Sequence, residues 1–333
     1  MKGSNGKFAL SIIIVNWNTQ DLLRQCLHSI YKTTHNLVFE IYVVDNNSTD
    51  GSVNMIKKEF SRVNLIENRR NEGFTTANNQ AISKSRGKYA LLLNSDTIVL
   101  GNALSKMTEF MDAHEHVGVL GCKLLDKDGN LQRSAAWFSC LWTLILGGNV
   151  LPVTLSRVLG LKRFPGQCYL NDREHDKLQD VDWVSGACFM VRKTVIDDAG
   201  LLDENLFMYG EEVEWCYRIK KAGWSVAYFP DAHISHIGGG STLPGDSLPV
   251  YRSAFARRYI YHKHHNVLSS FLYDILAAAT ALLKLVLWGI LALILPDKDS
   301  LKKRSSYYLG VLNSIFNSNC MTKHRVKNYR SKT

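Results

Sequence analysis

The stretch Phe39-Glu40-Ile41-Tyr42-Val43-Val44-Asp45 is an apolar, β-branched run that passes straight into Asn46-Asn47-Ser48-Thr49-Asp50-Gly51, and a helical pattern follows over Ser52–Phe60. A strand apolar on both faces, ended by polar residues and followed by a helix, is the unit of a parallel sheet covered on both sides. The same unit lies on either side of it. Ala9–Val15 precedes a helical pattern over Asp21–Lys32, Val63–Glu67 precedes one over Thr75–Ser85, and Tyr89–Leu93 closes the series. This alternation predicts an α/β fold with a mostly parallel central sheet flanked by helices.

Ligands of such sheets bind beyond the carboxyl ends of the strands. Polar residues collect there: Asn16-Trp17-Asn18 after the first strand, Asp45 to Gly51 after the second, Asn68 to Gly73 after the third and Asn94-Ser95-Asp96 after the fourth. Four polar clusters are therefore expected along one edge. Asp45 with Ser48, Thr49 and Asp50 suits a capped βα turn as well as it suits a ligand. Gly73-Phe74-Thr75-Thr76-Ala77-Asn78-Asn79 sets a glycine at a helix start and two amides in the first turns, which serves a polar ligand or a merely polar helix face equally. The segment has neither Gly-x-Gly-x-x-Gly nor Gly-Lys-Ser/Thr, which disfavours a Rossmann dehydrogenase and a P-loop NTPase.

From about Val117 the pattern changes to shorter strands, with Asp126 to Asn130 as a hairpin turn, and Val181–Val191 reads as one further strand. Ala135 to Lys162, with Trp137, Trp142 and Gly147-Gly148, fits plain core, a membrane-touching loop and an acceptor groove equally. Glu211–Lys221 reads as a helix closed by Gly223. Its first turn, Glu211-Glu212-Val213-Glu214, suits the helix dipole, which is a structural reason for acids there. Aromatic neighbours on both sides predict that part of this helix is buried and that one carboxylate lines a cavity, where it could act as a general base. His236 precedes Gly238-Gly239-Gly240-Ser241, a loop free enough to close on a substrate.

The chain has 333 residues, 46% of them apolar, with a net charge of +10 that suits an anionic partner. Seven cysteines without a Cys-x-x-Cys pair point to reduced thiols in a cytosolic compartment. The run from Phe8 to Val15 imitates a signal peptide but is short and lacks a small-residue cleavage site, so it reads as the first core strand. Near the other end, Ile275 to Leu295 has 21 residues with only Lys284 charged. A helix of that length is about 31 Å long, enough to cross a bilayer. Arg257, Arg258 and Lys263 precede it, and Lys298, Lys302, Lys303 and Arg304 follow. That symmetry gives no orientation, and an interfacial or hairpin arrangement fits it better than a single span. Tyr308, Val311, Leu312, Ile315 and Phe316 recur at the spacing of an amphipathic surface helix. An oligomer interface, or a helix packed on the catalytic domain, is the alternative. The excess basic charge lies mainly after Arg252, beside apolar helices, which speaks against nucleic acid.

Taken in order, Val44-Asp45-Asn46-Asn47-Ser48, Asn71-Glu72-Gly73-Phe74 with Ala77-Asn78-Asn79, Leu93-Asn94-Ser95-Asp96, Gly186-Ala187-Cys188-Phe189-Met190, Glu211-Glu212 with Trp215-Cys216-Tyr217-Arg218, and His236 with Ser241 resemble the family 2 glycosyltransferases of GT-A fold, especially their rhamnosyltransferase-like branch. The likeness spans roughly Leu10 to Thr242. It implies a catalytic domain over 1–245, with a nucleotide-sugar half at 8–115 and an acceptor half at 116–245, followed by a membrane-associating region at 246–333.

The resemblance also implies roles. Asp45 would contact the pyrimidine or ribose, and Asn16, Asn47, Asn71, Gly73, Phe74, Asn79, Asn94 and Ser95 would line the donor pocket. Asp96 would stand for the last acid of the family's Asp-x-Asp motif and hold Mg²⁺ or Mn²⁺ on the diphosphate, with His236 as a further ligand. Glu212 matches the catalytic base and Glu211 the acid before it, while Trp183, Gly186, Ala187 and Trp215 would line the acceptor and sugar pocket. Two positions depart from the pattern: Asn94 replaces the first acid of the metal motif, and Glu212 stands where the family usually has Asp. The implied reaction is inverting transfer from a nucleotide-diphosphate sugar, dTDP-rhamnose ahead of UDP-sugars, to a polyprenyl-linked or cell-surface glycan. It would take place at the cytoplasmic face of a membrane, by a peripheral or monotopic protein and in a possible homo-oligomer. Other readings are a non-catalytic nucleotide-sugar or membrane-binding protein, and a nucleotidyltransferase. The latter wants a basic or glycine-rich loop after the first strand, which Asn16-Trp17-Asn18-Thr19 does not supply.

Overall fold

A computed structural model of the chain describes residues 8–146, 170, 172, 174–238, 248–294 and 298–316. The chain forms two compact units: Met1–Phe138, Tyr169–Glu204 and Glu211–Thr242 make one, and Ser139–Cys168, Asn205–Gly210 and Leu243–Thr333 make the other.

The first unit begins with the expected alternation: β1 (Leu10–Asn16), α1 (Gln20–Thr33), β2 (Phe39–Asp45), α2 (Ser52–Glu59), β3 (Asn64–Glu67), α3 (Phe74–Ile82) and β4 (Tyr89–Leu93). It continues with β5 (Thr97–Val99), α4 (Ala103–Ala113), β6 (Val117–Leu125), β7 (Leu131–Gln132) and β8 (Ala135–Ala136). Then follow β9 (Gln179–Val181), β10 (Trp183–Val184), β11 (Cys188–Arg192), α6 (Lys193–Ala199), α7 (Glu211–Lys221) and β12 (Ser225–His236). The main sheet runs β3-β2-β1-β4-β11-β6-β12-β5. Its first four strands are parallel, and β11 enters antiparallel to both β4 and β6.

Strands buried on both faces need apolar residues at odd and even positions alike. Ile12, Ile14, Ile41 and Val43 meet Leu23 and Leu27 of α1, Met55 and Ile56 of α2, and Met107 of α4. The alternate positions Ile13, Val44 and Leu92 meet Ala77 and Ala81 of α3, Val195 of α6 and Trp215 of α7. A sheet sandwiched by helices results, as the sequence predicts.

Two expectations for the later segment need correction. Its strands are not uniformly shorter: β6 has 9 residues and β12 has 12. β12 accommodates Pro230 in a bulge, where register with β6 shifts between Phe229 and His233. A residue without an N–H is tolerated at such a point. Val181–Val191 is not one strand either. It divides among β9 on β12, β10 on β8, and β11 between β4 and β6. The breaks are held by Asp182 N–H on the Ala136 carbonyl (3.0 Å) and Ser185 N–H on the Ser134 carbonyl (2.8 Å).

The amino edge of the sheet is closed around a buried carboxylate paired with a solvent-facing guanidinium. Glu40, whose side chain is 3% exposed, accepts from Ser11 Oγ (2.7 Å), the Arg86 amide (2.6 Å) and Arg86 Nη2 (2.9 Å). Gly87 donates to Ser11 Oγ at 2.8 Å, and a Cβ on Gly87 would lie 2.5 Å from the Ser11 nitrogen, so the approach admits only glycine.

The second unit contains α5 (Leu141–Leu146), α8 (Leu248–His264), α9 (Val267–Ile294) and α10 (Lys298–Phe316). Tyr261, Tyr273 and Ala277 form its core with Leu141, Leu144, Val311 and Ile315. The apolar helix starts at Val267, eight residues before the expected Ile275, because Asn266 Oδ1 takes the Ser269 N–H at 2.8 Å and caps it. Residues 147–162 of the stretch left open above lie outside the described residues.

Burial pushes the Glu40 carboxyl up, but the Arg86 amide, the Ser11 hydroxyl and the Arg86 guanidinium outweigh it and hold the group below the usual carboxylate range. A depressed folded value gives stability above the unfolded carboxylate range, lost as pH falls through the folded value. Glu40→Gln is therefore expected to destabilise the chain by about 1.5–3 kcal/mol at neutral pH. In urea unfolding at stepped pH the gap to the parent should close as acid protonates Glu40; a gap constant with pH would show that the charge contributes nothing.

Candidate active site

Because β1, β2 and β4 are parallel, their last residues share one edge, and Asn16 is paired with Asp45 in register. Both are buried, at 0% and 2% exposure, so their polar atoms need partners. Asn16 Nδ2 donates to Asp45 Oδ1 (2.8 Å) and to Ser48 Oγ (3.0 Å), while the Ser48 amide donates to Asp45 Oδ2 (2.8 Å). Asn16 Oδ1 accepts from Thr19 Oγ1 (2.7 Å), which in turn meets Ser95 Oγ at 2.8 Å. One hydrogen-bond network thus joins the ends of the first two strands to the loop after β4.

Asn47 is exposed at the rim with φ 64. Asn71 Oδ1 accepts the Gly73 amide (2.9 Å), and Asn46 Nδ2 donates to the Gly73 carbonyl (3.2 Å). Gly73, at φ 87, opens α3 in a conformation that favours glycine, with Phe74 half-buried beside it.

Asn79 points elsewhere. Its Nδ2 donates to the Leu202 carbonyl (2.9 Å) and Glu204 Oε1 (3.1 Å), and its Oδ1 takes the Leu202 amide (3.1 Å). It fastens the loop after α6 and does not take the place at the donor edge that the resemblance implies.

Beyond β4 lie Asn94, Ser95 and Asp96. β12 ends opposite this loop, with His236 paired to Thr97. His236 Nε2 is 3.4 Å from Asp96 Oδ1 and 3.3 Å from Asn94 Nδ2. The other ring nitrogen, Nδ1, lies 2.6 Å from Gln132 Oε1 at the end of β7. An amide oxygen accepts, so Nδ1 carries a proton, and Nε2 is the ring nitrogen that faces Asp96. Gln132 is a residue that sequence reading misses; a lone Gln after a hairpin turn carries no pattern.

This carboxylate and imidazole suit a divalent cation. Adjacent ligands of an octahedral ion at about 2.1 Å lie about 3 Å apart, close to the observed spacing. Among the described residues no group of three or more His, Cys, Asp or Glu could hold a metal by itself. Such an ion would draw its remaining ligands from substrate and water, as Mg²⁺ commonly does on phosphates.

The other half of the site arrives with β11. Cys188 pairs with Leu93, so Gly186 and Ala187 lie just past the same edge, and the Asn94 amide donates to the Ala187 carbonyl at 3.1 Å. Glu212, partly exposed near the start of α7, stands over that loop: a Cβ on Gly186 would be 3.8 Å from Glu212 Cβ and 4.0 Å from its Cδ. Its neighbours are deeper. Glu211 is 5% exposed, and Glu214 is fully buried, gripped by Arg218 at 2.7–3.0 Å. Arg218 also holds the carbonyls of Ala199 and Leu201.

Trp215 is core, not part of an acceptor pocket. It is fully buried, stacks on Phe189 at 5.5 Å and donates its indole N–H to the Gly200 carbonyl at 2.8 Å. Trp183 is half-buried, with its N–H on the Trp137 carbonyl (3.2 Å), near a stacked Phe138–Tyr217 pair at 3.5 Å. Gly239, Gly240 and Ser241 of the expected mobile loop lie outside the described residues.

A model of the family described as Glycosyl transferase family 2 matches residues 11–199. The chain is 28% identical over 247 residues to N-acetylglucosaminyl-diphospho-decaprenol L-rhamnosyltransferase of Mycobacterium tuberculosis (strain CDC 1551 / Oshkosh), covering 70% of this chain and 77% of that one. Among solved structures, the mannosyltransferase PcManGT from Pyrobaculum calidifontis in complex with GDP-Man and Mn²⁺ superposes with a TM-score of 0.57 at 14% identity, over 94% of this chain and 88% of that one. GalNAc-T7 with UDP, GalNAc and Mn²⁺ gives 0.53 at 17% identity, over 81% of this chain and 55% of that one. These two likenesses establish the GT-A fold.

Gln132→Leu removes the acceptor for the His236 ring N–H. It is expected to weaken Mn²⁺ binding about 10–100-fold in titrations made with a nucleoside diphosphate present, while thermal unfolding stays near that of the parent. Unchanged affinity would mean that this contact does not orient the ring.

Proposed function

Since the chain belongs to glycosyl transferase family 2 and is a glycosyltransferase, we propose that it moves a sugar with inversion from a nucleoside diphosphate donor, dTDP-rhamnose foremost, to a polyprenyl-diphosphate-linked glycan at the cytoplasmic face of a membrane. The carrying observation is that the Asn94–Ala187 hydrogen bond joins the loop that holds Asp96 beside His236 to the Gly186 segment that lies next to Glu212. The rhamnosyl donor and the lipid-linked acceptor are supported by the name of the mycobacterial relative. The free state of Cys26, Cys122, Cys140, Cys188 and Cys216 supports the cytosolic side. UDP-sugars are the second choice of donor.

In this reading the nucleoside lies over the ends of β1 and β2. Asp45 already accepts from Asn16 and Ser48, but each carboxylate oxygen has a second lone pair with which to take a base or ribose hydrogen. The same contacts fix its rotamer before the donor arrives. Asn71 and Gly73 shape the adjoining wall, and Gly73 lets backbone approach the donor without a side chain in the way.

Asp96 Oδ1 and His236 Nε2 would hold Mg²⁺ or Mn²⁺. Such an ion, when bound, neutralises charge on the departing diphosphate. Asn94, in place of an acid, leaves the cradle with one negative charge fewer.

Glu212 takes the proton of the acceptor hydroxyl. The hydroxyl oxygen then bonds to the anomeric carbon from the face opposite the diphosphate, and the sugar–phosphate C–O bond breaks with its electron pair leaving on the nucleoside diphosphate. The longer reach of Glu relative to the family's usual Asp fits the absence of a side chain at Gly186. Glu211 is too deep for this role, and Glu214 is neutralised by Arg218.

Glu212→Gln is expected to lower kcat by about 10²–10⁴-fold without altering donor-induced thermal stabilisation; retained turnover would assign the base elsewhere. A panel of nucleotide sugars with Mg²⁺ should give its largest stabilisation with dTDP-rhamnose, roughly 2.7 kcal/mol at 100 times the dissociation constant. A larger response to a UDP- or GDP-sugar would replace the donor assignment.

A further inference from the structure

The second unit has an outer apolar face that none of the described residues of that unit covers. Along α9, Val267, Phe271, Ile275, Leu282, Val286 and Ile290 are exposed by 48–88%. Their spacing of four and seven residues keeps them on one stripe of the helix. The opposite face is packed. Ser270, Tyr273, Ala277 and Ala281 are buried there. Asp274 is held by Arg258 (2.8 and 2.7 Å) and His262 (3.0 Å) of α8, and the Lys284 ammonium lies 5.3 Å from the centre of the Tyr308 ring of α10.

That packing decides between lying on a bilayer and crossing one. α9 contains a 24-residue stretch of mean hydropathy 1.7, long enough to span. A spanning helix must meet hydrocarbon or apolar partners all round. Besides the short apolar α5, α9 packs on two charged helices: α8 carries Arg252, Arg257, Arg258 and Lys263, and α10 carries Lys298, Lys302, Lys303 and Arg304. They run beside it, and Gly310 of α10 approaches α8 so closely that a Cβ there would sit 2.7 Å from Tyr251 Cδ1. Drawing α9 through a membrane would draw these charges with it, at roughly 2.5–3.5 kcal/mol for each one near the centre. Only the outer stripe of α9 can enter lipid.

Charge selects the surface. Fourteen Lys and Arg but only four Asp and Glu follow residue 245, so the last 88 residues carry +10, the whole net charge, and the first 245 are neutral. Basic residues beside an apolar stripe match an anionic phospholipid surface. The same charge opposes pairing with a second copy through this face.

We propose that the second unit docks on anionic phospholipid with α9 lying in the plane of the membrane, its Val267–Ile290 stripe inserted and both of its ends on one side. This rests on the membrane-bound acceptor of the proposed function and specifies how the chain reaches it.

The test uses the full chain with vesicles of phosphatidylcholine, with and without phosphatidylglycerol. Flotation should be stronger with phosphatidylglycerol and weaken in high salt. Leu282→Asp with Val286→Asp should reduce it at least about tenfold while donor-induced thermal stabilisation stays at the parent's level. After reconstitution from detergent into sealed vesicles, an impermeant thiol reagent should modify Asn266→Cys and Asp299→Cys equally, each above the parent's background. Protection of one of them until detergent is added would show a span and overturn the proposal. So would equal binding to neutral vesicles, or lipid-free dimers that the two aspartates dissolve. Loss of docking with transfer to a soluble acceptor intact overturns only this inference; loss of transfer with docking intact overturns only the reaction.

Discussion

The antiparallel entry of β11 beside β4 is the constraint on which the site depends. Leu93 ends one strand where Cys188 begins the other, and the Asn94 N–H donates to the Ala187 carbonyl across that junction. Had β11 run parallel, Gly186 and Ala187 would lie at the amino edge, the full depth of the sheet away from Asp96. The reversal of β11 therefore delivers the segment under Glu212 to the edge where the parallel strands leave Asn16, Asp45 and Asp96. A hydrogen-bonded ladder on both sides of β11, to β4 and to β6, makes the reversal a property of the core.

The two edges of the sheet are built differently, and the difference has a physical meaning. At the amino edge, Glu40, Ser11 and Gly87 leave no room for a ligand: the carboxylate is surrounded by donors and the glycine admits no side chain. At the carboxyl edge, buried polar groups are satisfied by one another in a chain from Ser48 through Asp45, Asn16 and Thr19 to Ser95. Their geometry is set in advance of any ligand, and lone pairs remain to receive one. His236 follows the same logic, since the partner of one ring nitrogen determines what the other presents.

The parallel half of the fold was legible because its strands are apolar at every position and each ends in a polar cluster. Pairing of Asn16 with Asp45 follows from strand direction alone, and so does the meeting of their loops with Asn94 to Asp96. Residues on helices were harder. Asn79 and Trp215 carry the right identity in the right order, yet their side chains turn into the loop after α6 and onto Phe189; sequence position fixes spacing along a helix, and tertiary packing chooses the face. The same limit left Glu211 and Glu212 undecided, because adjacent helical residues point about 100° apart and only the packing of α7 shows which one meets Gly186. Breaks at Asp182 and Ser185 fall on isolated polar residues in an otherwise apolar run, which a buried strand can also carry. Asn266 caps the apolar helix ahead of the span that its uncharged length alone marks from Ile275.

A crystal structure of the chain with a nucleotide sugar and Mn²⁺ tests the shared edge most directly. The expected result is Mn²⁺ bound by Asp96 and His236 Nε2, the diphosphate on it, and the anomeric carbon open on the side of the Glu212 carboxylate. A donor seated away from Asp96, or seated there with its anomeric carbon turned from Glu212, would contradict the assignment.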